Sequence, residues 1–150
     1  MRIVIQRVSK VELFIEDKLF SSISKGLSLF LGIEEDDTNE AADWLSAKIC
    51  SLRIFSDPEG KMNLDIKQVK GELLVVSQFT LHASTYKGNR PSFIKAAKPE
   101  KAIPLYDYFI QKCDFLLGKK ISTGKFGADM QISLVNDGPV TIIIDSKKRE

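Results

Sequence analysis

Apolar and polar residues alternate from the start of the chain. The segment "MRIVIQRV" reads as a strand around Ile3 and Ile5. In "VELFIEDKLFSSI", Glu16-Asp17-Lys18 interrupts two short apolar runs, which predicts a hairpin. "GLSLFLGI" is nearly continuous in apolar residues and predicts a third strand. The period then changes: Ala41, Trp44, Leu45, Lys48, Ile49 and Leu52 keep helical spacing, and Asp37 followed by Glu40 predicts an N-cap box. "RIFSDPEGKMNLDI" holds a strand end and a turn at Asp57-Pro58-Glu59-Gly60. "GELLVVSQFTL" is the longest strand candidate, and "KGNRPSF" is a loop punctuated by Gly88 and Pro91. Ala102, Leu105, Tyr106, Phe109, Cys113 and Leu116 mark a second helix from Pro99 to about Leu117, with Pro104 expected in its first turn. "ADMQISLVNDGPVTIIID" predicts two strands around a hairpin turn at Asp137-Gly138-Pro139.

Strands, helix, strands, helix, strands in this order predict an α+β fold. The sheet should be largely antiparallel or mixed, curled into a barrel-like core with two main flanking helices. The 150 residues are expected to form one domain, 1–150. Net charge is only +2, so any nucleic-acid contact should be local. Cys50 and Cys113 are isolated thiols, expected reduced and either in the core or near the surface. No apolar run approaches a membrane span and no signal-peptide core opens the chain, so a cytoplasmic protein without membrane contact is expected. "SKKRE" reads as a solvated tail.

Familiar catalytic equipment is missing. There is no GxSxG, Walker loop or GxGxxG, and the single histidine, His82, cannot build a multi-histidine metal site. His82 reads as a surface histidine at a strand end. Neither a metal nor a cofactor is expected. Two polar-in-apolar stretches remain. In "VVSQFTLHA", Ser77, Gln78 and Thr80 lie among Val76, Phe79 and Leu81 in what reads as a buried strand. An unpaired buried polar group costs about 1–3 kcal/mol, so these residues either meet water or line a site. In "NDGPVT", Gly138 frees the backbone and Pro139 tolerates a cis bond at a cost of about 0.5–1 kcal/mol. Taken alone, that stretch reads as a tight hairpin turn rather than a site.

"SQFTL" and "NDGPVT" occur together with "QRV", "RIFSD", "GKMNLD", "RPSF", "LYDYF" and "TGKFGADMQISL". Over nearly its whole length the chain thereby resembles the D-aminoacyl-tRNA deacylases, which strip D-amino acids wrongly esterified to tRNA. The resemblance implies a homodimer of barrel-like subunits with active sites at the subunit interface. The substrate would be the acceptor end of aminoacyl-tRNA with its terminal adenosine. Glycyl-tRNA would be a second substrate, since glycine has no side chain to reject.

The resemblance also implies residue roles. Ser77, Gln78, Phe79 and Thr80 would form the catalytic stretch, with main-chain N–H groups around Phe79 stabilising the oxyanion and Thr80 positioning rather than attacking. The 2′-hydroxyl of the terminal adenosine would assist the attack by water. Gly138 and Pro139, joined by a cis bond and entering the partner's site, would exclude L-amino acids by steric clash. Arg7 would brace that loop, and Asn136 and Thr141 would hold its geometry. Lys119, Lys120, Lys125, Lys147, Lys148 and Arg149 could meet acceptor-stem phosphates. His82 departs from the small or apolar residue expected there. A binding module without hydrolysis would carry degraded motifs, and both are whole. A deacylase selective for L-amino acids would lack Arg7.

Overall fold

The computed structural model describes residues 1–149. Strand β1 (Arg2–Ile15) runs unbroken through the two segments that the sequence suggested were separate. It turns at Glu16 and Asp17, which adopt φ of 50° and 59°, into β2 (Lys18–Ile23), and it also pairs antiparallel with β3 (Gly26–Gly32). After helix α1 (Asn39–Cys50), β4 (Phe55–Ser56) and β5 (Met62–Leu64) form a small separate hairpin. Strand β6 (Glu72–Ser77) lies parallel to β3. Beyond α2 (Pro99–Leu117), β7 (Ser122–Thr123) lies parallel to β6, and β8 (Gln131–Asp145) returns antiparallel to β1. The result is a mixed sheet nearly closed into a barrel and flanked by two helices.

Both faces of the sheet are buried at β3 and β6, which explains their apolar runs. Leu73 and Val75 of β6 pack towards the helices with Ile3, Ile5, Leu45 and Phe109, while Leu74 and Val76 point the other way, to Val8, Val11 and Leu13. Cys50 and Cys113 are buried free thiols, one on each helix.

Four local expectations are corrected. The strand in "GELLVVSQFTL" stops at Ser77, because its partner Leu31 is one residue from the end of β3; Phe79–His82 instead form a 3-10 turn. Thr38, not Asp37, precedes α1, because the buried Asp37 carboxylate accepts from the Met1 ammonium and from the Glu34 N–H (2.7 Å). Pro104 lies in the second turn of α2, where Glu100, whose carbonyl loses its usual donor, is exposed. Finally, "NDGPVT" is not a hairpin. Both its flanks pair with β1, Thr141 opposite Gln6 and Asn136 opposite Val8, so five steps along β8 span two along β1 and the intervening residues bulge outwards.

Candidate functional site

Polar residues interrupt the β6 sequence because the chain is leaving the sheet there. The Gln78 N–H still bonds to Leu31 O (2.8 Å), and the first bond inside the following turn runs from Leu81 N–H to Gln78 O (3.3 Å). Phe79 and Thr80 are exposed, and Gln78 Nε2 donates to Thr80 Oγ1 (2.6 Å). The Phe79 ring stands edge-on to Phe93, with centroids 5.1 Å apart.

This turn is held from behind. Arg2 Nη1 donates to Leu81 O (2.7 Å), while Nη2 of the same guanidinium pairs with Asp145 (3.1 Å). His82 is not the surface histidine expected: only 3% exposed, it is folded beneath the turn. Its ring packs on Gly32 so closely that a Cβ there would sit 2.9 Å from it. His82 Nδ1 is 3.3 Å from Glu34 Oε1 without hydrogen-bond geometry, and neither ring nitrogen has a hydrogen-bond partner. Burial pushes the Glu34 carboxyl up, but the hydrogen bond and charge of Lys147, together with His82, outweigh it and leave the group below the usual carboxylate range. Asp145 follows the same pattern: burial raises it, and the Lys147 N–H and Arg2 lower it further.

In front of the turn lies a cavity of about 310 Å³. Leu31, Ile33 and Val76 supply apolar wall, Ser77, Gln78 and Phe79 line one side, and Phe126–Met130 line another. Asp129, exposed, is the one ionisable side chain of this lining. His82 and Thr80 are outside it; Thr80 Oγ1 accepts from the Gln78 amide, and among the described residues neither ring nitrogen of His82 bonds to it. The segment Phe126–Met130 was missed as site-forming in the sequence, although Gly127, at φ 75°, marks a turn there.

The bulge has its own support. Arg7 is buried; it donates through Nη1 to Ile54 O (2.6 Å) and through Nε to Asp137 O (3.1 Å). Asn136 Nδ2 donates to Thr141 Oγ1 (3.0 Å), and the Val140 N–H donates to Asn136 Oδ1 (3.3 Å). The Gly138-Pro139 bond is cis. No residue from 136 to 141 lines the cavity, so one chain does not bring the two motifs together.

Most of the sequence-proposed phosphate contacts are engaged elsewhere. Lys119 donates to Gly71 O (2.8 Å), Lys120 pairs with Asp114 (2.7 Å), Lys147 bridges Glu34 and Asp36, and Arg149 lies over Trp44 (4.5 Å). The carboxylates of Glu34, Asp36 and Asp37 gather closely, but Lys147 and the Met1 ammonium already balance them.

The sequence profile of the family described as D-Tyr-tRNA(Tyr) deacylase matches residues 4–145. The chain belongs to this family. As a D-aminoacyl-tRNA deacylase it is a hydrolase acting on an RNA-borne ester. The D-aminoacyl-tRNA deacylase of Cytophaga hutchinsonii is 63% identical over 147 residues, covering 98% of each chain. That of Flavobacterium psychrophilum is 58% identical over 150 residues and covers all of both chains. A solved structure described as a c-Myc DNA unwinding element binding protein superposes with a TM-score of 0.91 at 36% identity, covering 97% of this deacylase and 98% of that chain. No helix among the described residues is long and apolar enough to cross a membrane.

Proposed function

We propose that the protein cleaves the ester between a D-amino acid and the terminal adenosine of tRNA, and that each working site is assembled from two subunits. One observation carries this reading: the cavity holds Ser77, Gln78 and Phe79 but nothing from the Asn136–Thr141 bulge. A second subunit supplies the missing part when its Gly138-Pro139 tip enters the cavity. The unpaired edge of β8, with Val135 and Ile143 exposed, offers the dimer a surface.

An aminoacyl ester is reactive enough that a placed water and oxyanion donors suffice. The Phe79 and Thr80 N–H groups precede the first bond inside the turn and serve as those donors, each worth about 10²–10³ in rate. Thr80, held by Gln78, positions the ester. The neighbouring 2′-hydroxyl orients the attacking water, which accounts for a lining so poor in bases. L-amino acids are excluded by collision with the Gly138-Pro139 tip; glycine escapes it, so glycyl-tRNA is also cleaved. Broad tolerance of D side chains follows, and the reaction takes place in the cytoplasm.

Deacylation of matched D- and L-aminoacyl-tRNA, followed together with oligomeric state, tests this reading. A dimer that cleaves the D substrate selectively, and slows when the RNA ends in 2′-deoxyadenosine, is expected. A fully selective monomer overturns the shared site. Equal rates on the 2′-deoxy substrate remove the RNA hydroxyl from the mechanism.

A further inference from the structure

From Leu73 to Pro99 the chain runs 27 residues without an aspartate or glutamate, although it holds 20 acidic residues in 150. The run contains the turn at Phe79 and, after it, Lys87, Arg90, Lys95 and Lys98. None of these four side chains enters an ion pair among the described residues; Lys18, Lys67, Lys70 and Lys101 are unpaired too, but each has an acidic residue within two positions along the chain, as Lys87, Arg90 and Lys95 do not. This segment is also built rather than loose. Ser84 and Ser92 exchange backbone hydrogen bonds at 2.8 and 2.9 Å, closing a projecting tip that turns at Gly88 (φ 90°). Tyr86 at that tip is 92% exposed. Its base is fastened to the site: Phe93 abuts Phe79, and the Ala97 N–H bonds to Ile33 O (2.9 Å) beside the cavity wall.

We infer that this segment, Ser84 to Lys98, is the docking surface for the acceptor arm of the tRNA. The inference rests on the deacylase reading above and adds where the RNA lies. Phosphates need cations that no internal carboxylate already satisfies, and here such cations stand on a segment with no carboxylate of its own, beside the cavity; Glu35 meets it only at its base, where its carboxylate accepts from the Lys98 N–H (3.4 Å). The exposed Tyr86 ring gives an unpaired base of the 3′ end a face to stack on. In the basic tail, Lys147 and Arg149 are occupied within the chain and take no part.

The test compares wild type with Lys87→Ala/Arg90→Ala/Lys95→Ala on two substrates, D-tyrosyl-tRNA and the D-tyrosyl ester of adenosine alone. A Lys10→Ala/Lys61→Ala/Lys112→Ala variant controls for net charge. The loop variant is expected to raise KM for the tRNA substrate about 10-fold or more at unchanged kcat. Its salt dependence should become shallower by about one power for each phosphate that the variant no longer neutralises. Both variants should cleave the adenosine ester as wild type does. Affinity for uncharged tRNA should fall in parallel in the loop variant, and this measurement tests the surface even if wild type hydrolyses neither substrate, a result that would defeat only the deacylase reading. Wild-type affinity for uncharged tRNA in a folded loop variant overturns the inference. An equal loss on both substrates, or an equal loss in the charge control, also overturns it.

Discussion

The turn at Phe79–His82 and the bulge between Asn136 and Thr141 are both places where a strand leaves its ladder, but they are held in opposite ways. The turn is supported from behind by Arg2 on Leu81 O and by His82 packed on Gly32 beside Glu34, and it opens onto a cavity. The bulge is supported only at its base, by Arg7 and by the Asn136–Thr141 pair, and Asp137, Gly138 and Pro139 face solvent. A socket is shaped by what lies behind it. A probe needs a firm root and a free tip.

That contrast breaks most sharply at Gly138. Its φ is +125°, and an added Cβ would meet Arg7 Nη2 at 2.8 Å and Val140 Cγ2 at 2.9 Å. Gly138→Ala should therefore displace the probe and leave the socket intact. Single-turnover rates on paired substrates should show the D/L ratio falling about 10²-fold, the cost of roughly an ångström of misplacement. An unchanged ratio in a folded, dimeric variant would reduce the bulge to a structural feature.

The reciprocal change is Gly32→Ala, whose Cβ would press on the His82 ring at 2.9 Å and on Gln78 O at 3.0 Å. Here kcat should fall for every accepted substrate by about 10-fold to 10²-fold while the D/L ratio holds. A selective loss of chirality would show that the two regions are not separable.

Thr80→Ala removes the acceptor of the Gln78 amide and should cost about 10-fold in kcat, far from the roughly 10⁶ that deletion of a true nucleophile costs. An acyl group trapped on Thr80 would restore a covalent route.

The smallest effect concerns the support behind the socket. Glu34 and Asp145 lie below their usual pKa, so each stabilises the fold above its unfolded value, about 4.3 and 3.9, and loses that contribution as pH falls through the folded one. Lys147 is partly exposed, so Lys147→Ala should lower Tm by only about 2 °C at pH 7, with the difference shrinking below about pH 4. A difference that grows in acid would contradict this.

What could be read in the sequence follows the range of the interactions. Helix α2 was legible at both ends, because Pro99 opens it and Gly118, at φ 65°, closes it locally. Both motifs were visible as polar groups out of place. Their backbone forms were not, because nothing in "SQFTL" reveals that β3 runs out beside it, and a hairpin and a bulge carry the same Asp-Gly-Pro signature. His82 could not be placed because its burial depends on Gly32 and Glu34, some 50 residues away in sequence. The likeness to known deacylases found both motifs and implied that they meet only across two subunits, and within one chain no residue from 136 to 141 lines the cavity.

The bulge also uncouples the two halves of β8. Ile132 and Leu134 before it pack with Val11 and Leu13, whereas Val140, Ile142 and Ile144 after it pack with Ile3 and Ile5. Five steps against two leave an odd excess, which a regular ladder could not hold, since a single step reverses every side chain in a strand. The tip takes up that excess, and each half keeps its own register on β1. A residue added or removed at the tip should therefore change how far it reaches and leave both apolar sets in place.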